Sequence, residues 1–171
     1  MKFTCHTTYH QKTLTAMARA LRKTIRAKQS RRAQVWSWLI IGIALLSLFL
    51  SWGTLWQTVL NGVVIAALLG ILWKEDAING FFAKRRALPG TDGADITFYE
   101  DHYVIKTAAA ESKWQYDSIL ALAESADYVL FVMGKHHALA IEKAGLAGGS
   151  VLEFCHFLEE KTGKQIQDIG G

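Results

Sequence analysis

From Val35 to Trp73 the chain reads VWSWLIIGIALLSLFLSWGTLWQTVLNGVVIAALLGILW, without one acidic or basic residue. One membrane crossing takes roughly 20 apolar residues at about 1.5 Å each, so this stretch is two crossings long. Small and polar residues cluster only at Ser51-Trp52-Gly53-Thr54. A break there predicts a first helix over Val35–Leu50, a second over Leu55–Trp73, and a tight hairpin turn between them. Tryptophan rings favour the headgroup level of a bilayer, so Trp36, Trp38 and Trp73 mark one interface and Trp52 and Trp56 the other. The competing reading is a buried helical hairpin in a soluble core. Five of the six tryptophans fall where a two-span hairpin wants them.

Charge is segregated along the chain. Residues 1–34 hold nine Lys/Arg and no acid, residues 74–90 hold four basic and two acidic residues, and residues 91–171 hold six and thirteen. Cations flank both outer ends of the hairpin and none lies in its turn, which predicts two cytoplasmic termini. A secretory signal is not expected, because the apolar run starts late and continues into a second span. Cys5 and Cys155 are expected as thiols in a reducing compartment. The acidic C-terminal part should be repelled by an anionic leaflet, and no nucleic-acid partner is expected.

Met1–Tyr9 alternates like a short strand. From His10 the period becomes helical: Leu14, Met17, Ala18, Leu21 and Ile25 form an apolar stripe among basic residues, predicting a helix that continues to the first span. That stripe either lies on the inner leaflet or packs on the soluble domain; the absence of Trp/Phe anchors favours packing. In the second span Thr58, Gly62, Ala66 and Gly70 recur every four residues, a spacing that lets helices approach closely. Contact with the first span or with a second copy would each use it. Gln57 and Asn61 suggest a hydrogen bond between helices rather than a transport path. Lys74–Leu88 should continue as a helix to Pro89-Gly90, with Lys84-Arg85-Arg86 a solvated cluster.

The rest divides into short strands, ADITFYE, HYVIKTA, SKWQYD, ILALAE, DYVLFVM and HALAIEK, separated by turns. Alternation predicts inward faces of Ile96/Phe98, Tyr103/Ile105, Trp114/Tyr116, Tyr128/Leu130/Val132 and Leu139/Ile141. Short connections favour an antiparallel meander. Ser150 and Glu153 form a capping box for a helix that ends at Gly163. The expected class is a membrane α-helical hairpin plus an α+β domain. That domain is a bent antiparallel, pleckstrin-homology-like (PH-like) sheet or barrel with one C-terminal helix. Expected boundaries are 1–34 for the strand and basic helix, 35–73 for the hairpin, 74–90 for a juxtamembrane helix and 91–171 for the cytoplasmic domain. The six strands are one short of a seven-stranded barrel, and Met1–Tyr9 is the candidate for the seventh.

This layout resembles the YcxB-like family of bacterial membrane proteins. The likeness lies in FYEDHYVIKT, in WQYDSILALAESADYVLFV, in a lysine before the last helix and in GSVLEFCHFLEEKTG. Where the family has Pro-Lys after the last strand, this chain has Ile141-Glu142-Lys143. The resemblance implies a bacterial inner-membrane protein with a PH-like domain, and it implies no known activity, substrate or cofactor.

No phosphate-loop pattern, GxSxG, HExxH or CxxC occurs, so neither an enzyme nor a cofactor is expected. Gly145–Ser150 opens a helix as an anion cradle does, but loop and cap account for it. His136-His137 reads as a solvated turn. Cys5-His6 and Cys155-His156 offer four zinc ligand types, yet neighbours on a strand point to opposite faces. The expected function is a membrane-tethered interaction or scaffold domain that binds a protein partner or copies of itself. The alternative is a small transport or signalling subunit whose spans bind a ligand.

Overall fold

The computed structural model describes residues 3–50, 55–86, 90 and 92–170. Strand β1 (Phe3–Thr8) leads into helices α1 (Gln11–Lys23), α2 (Ala27–Leu50) and α3 (Leu55–Arg85). Strands β2 (Gly93–Phe98), β3 (His102–Lys106), β4 (Glu111–Gln115), β5 (Ala121–Glu124), β6 (Tyr128–Val132), β7 (Ala138–Glu142) and β8 (Leu146–Ala147) follow. Helix α4 (Val151–Thr162) and strand β9 (Ile166–Asp168) complete the order. The expected turn Ser51–Thr54 with Trp52, and the expected stop at Pro89, lie outside the described residues.

The strand at the start of the chain belongs to the domain at its end. β1 pairs antiparallel with β2, Phe3 opposite Phe98 and Thr8 opposite Gly93, and its other edge takes β8. The three long helices are therefore an insertion between two adjacent strands of one sheet. Phe3 and Cys5 point into the core, where the Phe3 ring meets those of Phe154 and Phe157 at 5.2 and 5.4 Å. Two glycines permit the close approach. A Cβ on Gly145 would lie 2.7 Å from the His6 carbonyl oxygen, and one on Gly149 would lie 2.7 Å from the Phe3 ring.

A single bent sheet or barrel was expected; among the described residues the strands form two sheets that do not close into a barrel. The first has the order β4-β3-β2-β1-β8 and the second β7-β6-β5-β9. They separate where Tyr116–Ser118 makes a 3₁₀ turn after β4. Tyr116 is buried there and its hydroxyl donates to the Tyr99 carbonyl at 2.7 Å, while Trp114 stays exposed rather than facing inward. The meander is antiparallel throughout, but β9 pairs parallel with β5. The inner faces of the two sheets and α4 enclose the main core, centred on Phe98, Tyr103, Phe131 and Phe154.

β6 is buried on both faces. Val129 and Phe131 enter the main core. Tyr128, Leu130 and Val132, expected on that face, instead meet Ala20, Leu21 and Ile169 in a second core. The stripe of α1 thus packs on the outer face of the second sheet. The expected continuous helix from His10 breaks at Thr24–Arg26. Thr24 leaves helical geometry (φ −103°, ψ −100°), its hydroxyl donates back to the Ala20 carbonyl at 2.6 Å, and the Arg26 N–H reaches the Leu21 carbonyl. Back-bonding of this kind weakens helical continuity, and the break frees α2 to leave the domain surface while α1 stays on it.

Candidate functional site

The three helices meet the domain in a polar junction just beyond the apolar run. α3 contains a non-helical residue at Lys74 (φ −105°, ψ 15°), directly after Trp73. The next two residues are acidic and face α1. Arg22 donates from Nε and Nη2 to the two Asp76 carboxylate oxygens, both at 2.7 Å. Arg19 Nε lies 3.5 Å from Asp76, and its Nη1 donates to the Gly170 carbonyl at 3.1 Å. Lys23 donates to the Ile169 carbonyl at 2.7 Å, so the C-terminal residues are pinned to the same helix. Ser30 of α2 donates to Glu75 at 3.4 Å. The hydrogen bonds that Arg22 donates to the Asp76 carboxylate hold its guanidinium above the ordinary pKa.

Backbone contact reinforces the charges. A Cβ on Gly80 would fall 2.7 Å from the Thr15 hydroxyl and 2.9 Å from the Thr15 nitrogen, so only glycine admits this crossing of α1 and α3. A cavity of about 100 Å³ lies between the helices, bordered by Arg22, Arg26, Ser30, Glu75 and Asn79. The Asp76 side chain is only 13% exposed, so removing either arginine leaves a poorly solvated carboxylate. The junction works as a clamp that fixes the angle between the helical hairpin and the strand domain. Sequence reasoning missed it. Its signal was the acidic pair Glu75-Asp76, one residue past an apolar span whose flanks otherwise carry cations, together with Arg19 and Arg22 one turn apart on α1.

α2 and α3 are long and apolar enough to cross a membrane, and most of their apolar side chains are exposed within the chain. Their seam uses Asn61, Val64, Ile65, Leu68 and Leu72, all partly covered, and Asn61 donates to Ser47 at 3.1 Å. The small residues Thr58, Gly62, Ala66 and Gly70 are exposed on another face of α3. A Cβ on Gly62 or Gly70 meets nothing within 4 Å, so contact with the first span is not their role. The bulkier seam residues and the amide bond set the packing instead. Trp36, Trp38, Trp56 and Trp73 are all exposed. Trp36 and Trp38 share an end of the antiparallel pair with Trp73.

The remaining reactive groups are held apart. Cys5 is buried while His6 turns outward to Asp95 at 2.6 Å. Burial pushes the Cys5 thiol up and the Cys155 thiol up to about 11, which disfavours the nucleophilic thiolate. Among the described residues no group of three His, Cys, Asp or Glu side chains is arranged to hold a metal. At Ser150 the Glu153 carboxylate already accepts from the backbone N–H at 2.7 Å and the hydroxyl at 2.8 Å, filling the place an anion would take.

Fold and junction together define a class: a two-sheet strand domain with a long apolar hairpin inserted between its first two strands. Residues 98–158 match the family model described as YcxB-like protein, so the strand-rich segment of this chain is similar to that family. The match runs from the end of β2 into α4 and leaves out β1 and the helical insertion. No curated protein matches the chain.

Proposed function

We propose that this is a multi-pass protein of a bacterial cytoplasmic membrane, with both termini cytoplasmic. On this reading a PH-like domain is held at the membrane surface as a non-enzymatic interaction module. The observation that carries the proposal is the insertion of α1–α3 between the paired strands β1 and β2. A domain tied to its anchor at two adjacent strands, and clamped by Arg22 and Asp76, presents one fixed surface rather than swinging on a linker. The two-sheet arrangement with a C-terminal helix supports the PH-like description. The exposed apolar surfaces of α2 and α3 support insertion, because a soluble chain would bury them.

The domain binds a protein partner or a second copy of the chain. Self-assembly is favoured by the outward position of Gly62 and Gly70 on α3. A transport or signalling subunit is the weaker alternative, since no ionisable group lies within Val35–Trp73.

Alkaline phosphatase fusions test the topology. A fusion after residue 171 should be inactive and one after Gly53 active. Strong activity at residue 171 sinks the two-span reading.

A further inference from the structure

We propose that the cationic start of α2 is a binding site for one anionic phospholipid. In it Lys28, Arg31 and Arg32 hold the headgroup phosphate, and Val35 and Leu39 line the first part of an acyl chain. The inference rests on the membrane placement proposed above.

The basic residues of α1 and of the start of α2 divide by use. On α1, Lys12 pairs with Asp127 at 2.8 Å, Arg19 and Arg22 with Asp76, and Lys23 with a carbonyl. On α2, Lys28, Arg31 and Arg32 are exposed, and no acid lies within ion-pair distance of them among the described residues. The helix has no acidic residue in its first turn and carries Lys28 there, with Arg31 and Arg32 in the turn that follows, so cations gather near the end where a helix dipole favours anions. An arrangement that is unfavourable by itself becomes favourable with a phosphate present.

The spacing fits a lipid better than a free anion. Lys28, Arg31, Arg32, Val35 and Leu39 lie on one helical face, opposite the buried Ile41 and Ala44. Lys28, Arg31, Arg32 and Val35 border an open groove that also includes Trp36 and measures about 660 Å³. Arg31 stands four residues above Val35, about 6 Å along the axis. The headgroup layer on each side of the hydrocarbon core is roughly 5–8 Å deep, so the guanidinium groups sit at phosphate depth. Below them the same face continues exposed and apolar through Leu39, Ile43 and Leu46. Cations above and an uninterrupted apolar track below match a charged headgroup with its chain. The cluster Lys84-Arg85-Arg86 has equal charge but lies about 16 Å beyond Trp73 along the helix, outside that layer.

The test uses the full chain in nanodiscs containing equal parts dioleoylphosphatidylglycerol and dioleoylphosphatidylcholine. Lipid retained after detergent exchange is read by native mass spectrometry. The native protein should retain phosphatidylglycerol over phosphatidylcholine by about tenfold or more. The variant K28Q/R31Q/R32Q should lose that preference, while K84Q/R85Q/R86Q should keep it. Excess inorganic phosphate should not release the lipid. Equal loss in both variants means bulk charge attraction, persistence in the first variant means another site, and release by phosphate means a free-anion site; each overturns the proposal. If circular dichroism shows the first triple variant unfolded, R31Q and R32Q singly carry the test, each expected to lower the preference about threefold. A protein that enters neither lipid overturns the membrane placement; one that enters both without preference overturns only the lipid site.

Discussion

Gly80 shows how one missing methyl group sets the geometry of the junction. Its hydrogen faces the Thr15 backbone, and alanine there would force α1 and α3 apart against the Arg22–Asp76 pair. Gly80→Ala should therefore destabilise by about 1–3 kcal/mol, despite alanine's better helix propensity. Gly42→Ala in α2, where a Cβ meets nothing, should be neutral or stabilising. Thermal unfolding of both variants in the same detergent checks the contrast, and equal melting temperatures would refute it. Glu153 makes a second prediction through pH. Hydrogen bonds from the Ser150 N–H and hydroxyl hold its carboxyl below the ordinary range. A folded pKa that lies below the unfolded one gives stability that is present above the ordinary carboxyl pKa and lost as pH falls through the folded value. The melting temperature of the native chain should exceed that of Glu153→Gln near neutral pH, and the gap should close in acid. A gap that does not change with pH removes the capping carboxylate as its cause.

At the scale of elements, β1 is the member with the largest effect on the domain. It separates β2 from β8 and supplies Phe3, a fully buried ring whose burial is worth about 1.5–3 kcal/mol. Residues 91–171 alone should melt about 10 °C below the same segment carrying residues 1–9 on a flexible linker. Equal melting temperatures would show that the sheet is stable without the strand. Elements with a strong period were legible in the sequence: β1, the stripe of α1, the hairpin helices and the capped α4 all announced themselves. What was not legible depended on partners distant in the chain. Tyr128–Val132 is apolar on both sides, so alternation could not tell which side faces α1. The break at Thr24 arises from a hydroxyl choosing the Ala20 carbonyl, which any helical threonine can do. Strands β8 and β9 are too short to show a period, and exist because β1 and β5 offer free edges. The small residues of α3 carried a true spacing but no direction, since the face that meets α2 is chosen by Asn61 and its larger neighbours.

For the whole molecule, the charge segregation now has a division of labour. The α1 cations neutralise Glu75-Asp76 and hold the C-terminal residues, the α2 cations face outward, and the acidic excess belongs to the strand domain. The order of synthesis adds a consequence of placing the hairpin between β1 and β2. β1 leaves the ribosome before its partner Gly93–Phe98, which follows only after the whole helical insertion. At about 5–20 residues per second, the wait is roughly 4–17 s. On the proposed topology both spans must cross before the two strands meet on the same side. A chain that inserts only one span leaves its strands on opposite sides, with Phe98 and Ile96 uncovered along an open edge. On that topology, pairing of β1 with β2 requires an even number of crossings between them. Half-inserted chains are left with exposed apolar strand edges, the kind of surface that quality-control proteases degrade.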